Sequence, residues 1–171
     1  MVKHRTILMS EERTIMKLAE SKLETIAHIE MVRKYIKTFT DKLAQRGIDH
    51  DRTKLESPEA EGFAAVNEKL AGLTYGSDEY KQNLEDLKPI LAHHYAKNKH
   101  HPEHYKNGIN DMTLIDILEM MADWKASTYR QHDGNLLQSL DKNAEKYGIQ
   151  KQLLQILKNT AVLLDEEDAN K

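Results

Sequence analysis

Apolar residues recur every three to four positions along most of this chain, the period of a helix with one buried face. From Ser10 to Arg46 there is no glycine or proline. Across that stretch Ile15, Leu18, Ile26, Ile29, Val32, Ile36, Phe39 and Leu43 keep helical spacing, which predicts one long helix stopped by Gly47. Ser57-Pro58-Glu59 combines a capping serine, a proline for the first helical position and an acid for the first turn. It predicts a helix running to about Leu70 and ending near Gly72. Ser77 caps the next helix, which Pro89 should kink or divide before Ile90 to Asn98 continue it. Thr113 caps an apolar helix from Leu114 to about Arg130, and helices from Leu136 to Tyr147 and Gln150 to Leu164 flank Gly148. No segment alternates apolar and polar residues for long enough to read as a strand, and no repeat is visible. The expectation is an all-α protein, a single helical domain with its core over about 10–164 and a frayed acidic tail over 165–171.

Composition narrows the class. A chain of 171 residues is one domain by size and long enough to bury a core. Charged residues make up 31%, the formal net charge is −3, and only seven glycines and three prolines occur. That balance describes a globular protein without the basic surface of a nucleic-acid or membrane binder. No cysteine is present, which excludes disulfides and thiolate metal sites and fits a reducing compartment. The apolar run in Met1 to Met9 is too short for a signal peptide, and no stretch approaches the roughly 20 apolar residues of a membrane span. The cytoplasm, of a bacterium or a phage-infected host, is the expected location.

The chemistry lies in the histidines. His28, His50, His93, His94, His100, His101 and His104 account for seven of nine, with Asp51 beside His50 and Asp123 following. Imidazole and carboxylate without thiolate is a ligand set for manganese, cobalt, iron, nickel or zinc. His28 shares a helical stripe with Val32, Tyr35, Ile36 and Phe39, so its ring should face an interior, as a ligand or as a hydrogen-bonded core histidine. His50 and Asp51 cannot point the same way from a regular helix, but at a helix end both can converge on one ion. As a bare dipeptide they also read as a polar turn in which Asp51 caps a helix. The pair His132-Asp133, in a glycine-containing turn with no ligand after it, reads as a decoy.

Five histidines fall within His93 to His104, a density that core packing does not call for. They could bind metal or phosphate, or be solvated. In the apolar helix after Thr113, Asp116 and Asp123 lie two turns apart on one face with Glu119 beside them. Acids there are costly unless paired or metal-bound. The pattern alone leaves either as ligand; the likeness of the Asp123 segment to a known motif favours Asp123, with Asp116 orienting a ligand histidine from behind.

The order His28, His50-Asp51, Asp123 resembles the HD-domain metal-dependent phosphohydrolases. His50-Asp51-Arg52-Thr53-Lys54-Leu55 is similar to the His-Asp-x-x-Lys-Leu form of HD-GYP phosphodiesterases. His100-His101-Pro102-Glu103 followed by Gly108 is similar to their His-His-Glu … Gly stretch, and Ala122-Asp123 to Arg130 to the closing HD motif. The phrase from His94 through His100-His101-Pro102-Glu103-His104-Tyr105 to Gly108, Asp116 and Asp123-Trp124 also resembles a family of small phage and bacterial proteins of unknown function. The HD resemblance implies one divalent transition metal on His28, His50, Asp51 and Asp123. A second metal or a phosphate contact is left open at His94, His100, His101 and His104. It further implies metal-activated water attacking a small nucleotide or other phosphate ester, with Arg52 and Lys54 offsetting phosphate charge and Glu103 or a cluster histidine protonating the leaving group.

Two other classes stand beside this expectation. A helical di-iron carboxylate protein would need paired Glu-x-x-His motifs, and none occurs. A non-enzymatic module of phage origin would use the histidines for a structural metal or a partner, and a homo-oligomer is compatible with either.

Overall fold

The computed structural model describes residues 2–71, 78–129 and 134–169, and all regular structure among them is helical. Six α-helices occur in this order: α1 Val2–Asp49, α2 Glu59–Ala71, α3 Asp78–Lys97, α4 Leu114–Thr128, α5 Leu136–Tyr147 and α6 Lys151–Ala169. Short 3-10 turns occupy Arg52–Leu55, Pro102–His104 and Gly108–Asp111. Residue contacts divide the chain into two units, Met1–Ala44 and Gln45–Lys171. No helix among the described residues is long and apolar enough to cross a membrane.

The first unit consists of α1 up to Ala44. The apolar stripe expected to face an interior is exposed there: Val32, Tyr35, Ile36 and Phe39 all face out, and so does His28. The predicted stop at Gly47 is also corrected, because α1 runs through it to Asp49. One glycine costs a helix only about 1 kcal/mol relative to alanine, too little to end it alone. The break comes at His50 and Asp51, where Asp51 takes a left-handed backbone with φ 54°. Aspartate is among the few residues that tolerate that region.

The second unit builds its core from α4, α5 and α6. Ile117, Met120, Met121, Leu136, Leu140, Ala144, Ile149, Leu157 and Ala161 are buried together, with Trp124 and Tyr147 against their edge. The starts of α4 and α5 are signalled locally. Thr113 and Asp116 form a reciprocal capping box at α4, and Asn135 accepts the Gln138 N–H at α5. Gly148 ends α5 with φ 66°, a conformation that costs glycine nothing. α2 begins at Glu59, one residue after the proline expected to open it. Pro89 neither divides α3 nor faces the interior; it lies exposed within a continuous helix that packs on α2. Gly62 of α2 meets Ile90 of α3, and a methyl group there would sit 2.5 Å from the Ile90 Cγ1. The tail expected to fray stays helical through Ala169, with Asp165 paired to Lys125 at 2.6 Å. Gly72, Ser77, Arg130 and the decoy His132-Asp133 lie outside the described residues.

Candidate metal centre

The second unit assembles its chemistry from three places: the end of α1, the turn after α3, and one face of α4. The left-handed step at Asp51 lets two adjacent side chains converge. His50 Nε2 lies 3.6 Å from Asp51 Oδ2 and 3.6 Å from Asp123 Oδ1. α3 ends at Lys97, and Asn98 fixes the turn beyond it by donating to the His94 carbonyl at 2.8 Å and to Thr53 Oγ1 at 2.8 Å. The chain then brings His100 and His101 back toward His94. His94 Nε2 comes within 2.9 Å of His101 Nε2, and within 3.3 Å of Asp51 Oδ1. His100 Nε2 lies 3.5 Å from the same oxygen.

Two sets of donors therefore converge, Asp51 with His94, His100 and His101, and His50 with His100 and Asp123. Ligand bonds of about 2.0–2.2 Å place neighbouring donor atoms roughly 3.0–3.5 Å apart. The separations of 2.9–3.6 Å between the inward-facing atoms fit that geometry.

Buried carboxylates behind the rings decide which nitrogen faces inward. Glu59, fully buried, takes His94 Nδ1 on Oε2 and His93 Nδ1 on Oε1, both at 2.8 Å. Thr53 also donates to it at 2.8 Å. Glu119 takes His50 Nδ1 at 3.0 Å and His100 Nδ1 at 3.1 Å on one oxygen, while Arg46 Nε donates to the other at 2.5 Å. A carboxylate only accepts, so each of these Nδ1 atoms carries a proton, and a ring that is neutral, as a metal ligand must be, turns a lone pair inward from Nε2. Lone pairs of His94 and His100 then face the Asp51 carboxylate oxygen, which is also an acceptor. Asp51 Oδ1 and His100 Nε2 are buried without any hydrogen-bond partner. Orphans of this kind cost about 1–3 kcal/mol each unless a cation sits among them. The residues present fit a divalent metal.

The electrostatics carry the same demand for positive charge. The carboxylates of Asp123, and then of Glu119, raise His50 to about 10, outweighing its burial. Burial, reinforced by the nearness of His100 and His94, lowers His101 to about 3, so that its ring is neutral at ordinary pH and has a lone pair to offer. Burial alone would raise Asp51, but nearby His94 and, above all in charge, Lys54 hold it well below the usual carboxylate range. Glu119 is likewise low, because His100, His50 and Arg46 outweigh its burial.

Of the ligands expected from the sequence, His50, Asp51 and Asp123 come together, and His94, His100 and His101 join them as full members. His28, exposed in the first unit, is in neither set. His104 also stays out, its Nδ1 bonded to the Tyr95 carbonyl at 2.8 Å. Asp116 holds no histidine: it caps α4 through Thr113 and accepts from Arg46 Nη2 at 2.6 Å. The orienting role assigned to it belongs to Glu119, one turn further along α4. Lys54 stands at the centre, 2.5 Å from Asp51 Oδ2, whereas Arg52 is exposed and faces Glu56 at 3.8 Å. Glu103 is exposed and accepts from the Tyr147 hydroxyl at 3.0 Å.

Two residues escaped sequence reasoning. Glu119 carries a signal in being an acid among apolar residues between Asp116 and Asp123. Glu59 reads only as an ordinary acid in a first helical turn, and nothing in the sequence says that it is buried.

The part of the chain that carries this centre lies within a stretch, residues 17–163, that matches the model of one family. The chain belongs to DUF5662, a family of unknown function. The match takes in α2 to α5 whole, most of α1, and α6 as far as Leu163, so every donor of the centre lies inside the DUF5662 region. The chain matches no curated protein and no solved structure.

Proposed function

We propose that this DUF5662 protein is a metal-dependent phosphohydrolase of the HD type, acting on a small nucleotide or related phosphate ester. The observation that carries the metal is the convergence of inward lone pairs on an orphaned Asp51 oxygen. Asp51, His94, His100 and His101 would hold one ion. His50 and Asp123, with His100 shared between the two sets, would serve a second. A divalent ion there would lower the pKa of a water toward neutrality and polarise a phosphoryl oxygen.

The chain's own residues supply the rest. Glu59 and Glu119 fix the rings so that no reorganisation is needed when substrate binds. Lys54, part-exposed beside Asp51, offsets the charge of a phosphate brought to the centre. The hydrolytic reading rests on the likeness of His50-Asp51-Arg52-Thr53-Lys54-Leu55 and Ala122-Asp123 to the HD motifs.

The competing idea, a histidine-rich contact surface for a partner, is weakened by burial. His94 and His100 are each only 1% exposed and cannot meet another protein.

The test is turnover of nucleoside monophosphates and nucleotide phosphodiesters by protein loaded with manganese or cobalt. Activity should stop with a chelator and be absent in Asp51→Ala. Retained metal with no turnover across a broad panel of phosphate esters would overturn the enzyme reading and leave a metal-holding module.

A further inference from the structure

The end of α1 grips one buried acid of α4 by both of its oxygens. Among residues 45–50 only Arg46 and His50 are sheltered, whereas Gln45, Gly47, Ile48 and Asp49 are exposed. Residues four apart on a helix lie one above the other, so these two share a face. Both reach Glu119. His50 Nδ1 donates to Oε1 at 3.0 Å, and Arg46 Nε donates to Oε2 at 2.5 Å. His100 Nδ1 donates to Oε1 as well, at 3.1 Å. The carboxylate cannot rotate without breaking one of these three contacts.

Arg46 has a second hold. Its Nη2 donates to Asp116 Oδ1 at 2.6 Å, so one guanidinium is divided between two acids a turn apart on α4. Asp116 and Glu119 are only 4% and 7% exposed. Buried carboxylates that close repel each other, and a cation bonded to both offsets the cost. Asp116 is fixed in turn by the Thr113 N–H at 2.8 Å and the Thr113 hydroxyl at 2.6 Å. A line of contacts therefore runs from the cap of α4 through Asp116 and Arg46 to Glu119, and on to the outer nitrogens of His50 and His100. Arginine suits this place because its planar donors hold two carboxylates in fixed directions, which the single ammonium of lysine does not.

We infer that Arg46 is a positioning residue of the metal centre. It fixes the rotation of the Glu119 carboxylate, and through it aims His50 and His100 at the ion without touching the ion itself. The inference rests on the metal of the proposed function and not on hydrolysis. An arginine that only joined α1 to α4 would change the stability of the fold and leave the metal affinity of the folded protein alone. A positioning residue changes that affinity, and only while Glu119 is present to carry its effect.

Competition with a chromogenic chelator, with cobalt as the metal, tests this on the full chain. Arg46→Gln should bind cobalt about tenfold more weakly than the parent, with a thermal melt to show that it is folded. If glutamine there unfolds the protein, Arg46→Lys carries the same measurement, because it keeps the charge and gives up only the planar pair of donors. The deciding comparison adds Glu119→Gln. The double variant should bind cobalt no more weakly than Glu119→Gln alone, since the path from Arg46 to the rings is already cut. Parent affinity in a folded Arg46 variant, or losses that multiply in the double variant, would overturn the inference and leave the phosphohydrolase proposal standing. A parent chain that binds none of cobalt, manganese or zinc would overturn both.

Discussion

Replacing Glu119 with glutamine puts the arrangement behind the metal centre under the closest scrutiny. One carboxylate oxygen holds two ring nitrogens, of His50 at 3.0 Å and His100 at 3.1 Å, and the other holds Arg46 at 2.5 Å. Glutamine keeps the shape but has one accepting oxygen and one donating amide. Turned so that its oxygen meets the rings, it keeps both bonds but loses their charge assistance, about half their strength, and sets its N–H₂ against Arg46. Turned the other way, it loses both ring bonds. Arg46 still has Asp116 in either case, so the fold should survive. Partners that orient metal-bound histidines are typically worth 10- to 100-fold in affinity. Glu119→Gln should therefore weaken metal binding by about 10- to 100-fold, or about 1.4–2.7 kcal/mol. Competition against a chromogenic chelator reads this, with a thermal melt to show that the protein remains folded. An affinity equal to the parent's in a folded Glu119→Gln protein would refute the view that Glu119 aims His50 and His100 at an ion.

The two aspartates of α4 should separate cleanly. Asp123→Asn should abolish turnover, whereas Asp116→Asn should leave metal content near the parent's and cost about 1 kcal/mol of stability through the capping box, read from chemical unfolding. Lys54→Ala should lower turnover while metal analysis still finds the ion, because the lysine acts on phosphate charge; loss of the metal itself would make Lys54 a structural partner of Asp51 instead. Melting temperature against pH in chelator should fall on both sides of about 6.5. His50, raised from 6.5 to about 10, contributes fully below 6.5 and loses that contribution as pH rises through 10. His101, lowered from 6.5 to about 3, loses its contribution as pH falls from 6.5 through 3. Asp51 and Glu119, held below 3.8 and 4.5, add to the acid limb below those values. A flat profile from pH 5 to 9 would contradict both histidine environments.

Helices were legible where a cap or a stop acts locally. Thr113 and Gly148 mark their boundaries because a side-chain oxygen or a left-handed glycine meets the backbone within one turn. Gly47 misleads for the converse reason: a weak local preference yields to the continuity of a long helix. His28 misleads because periodicity shows that a helix has an apolar face but not what covers it, and α1 leaves that face open. His50, Asp51 and Asp123 were legible as chemistry rather than as packing, since acids and imidazoles among apolar neighbours need a reason. The roles of Glu59 and Asn98 depend on contacts across 35 and 45 residues of chain, and no local pattern records those.

The buried acids give the strongest reason to regard the centre as built for an ion rather than as a fortuitous cluster. Burying Glu59 and Glu119 is costly, and a fold that needed only packing would place leucine or methionine there. Each is held by several donors, and each accepts from the outer nitrogen of rings whose inner nitrogens face the Asp51 carboxylate. A hydrogen-bonded core would do the reverse and bring donors to acceptors throughout. Here the outer layer is satisfied, whereas in the inner layer Asp51 Oδ1 and His100 Nε2 are left without a partner. That inversion is stable only around positive charge, which a divalent ion supplies with a geometry that the separations of 2.9–3.6 Å already match.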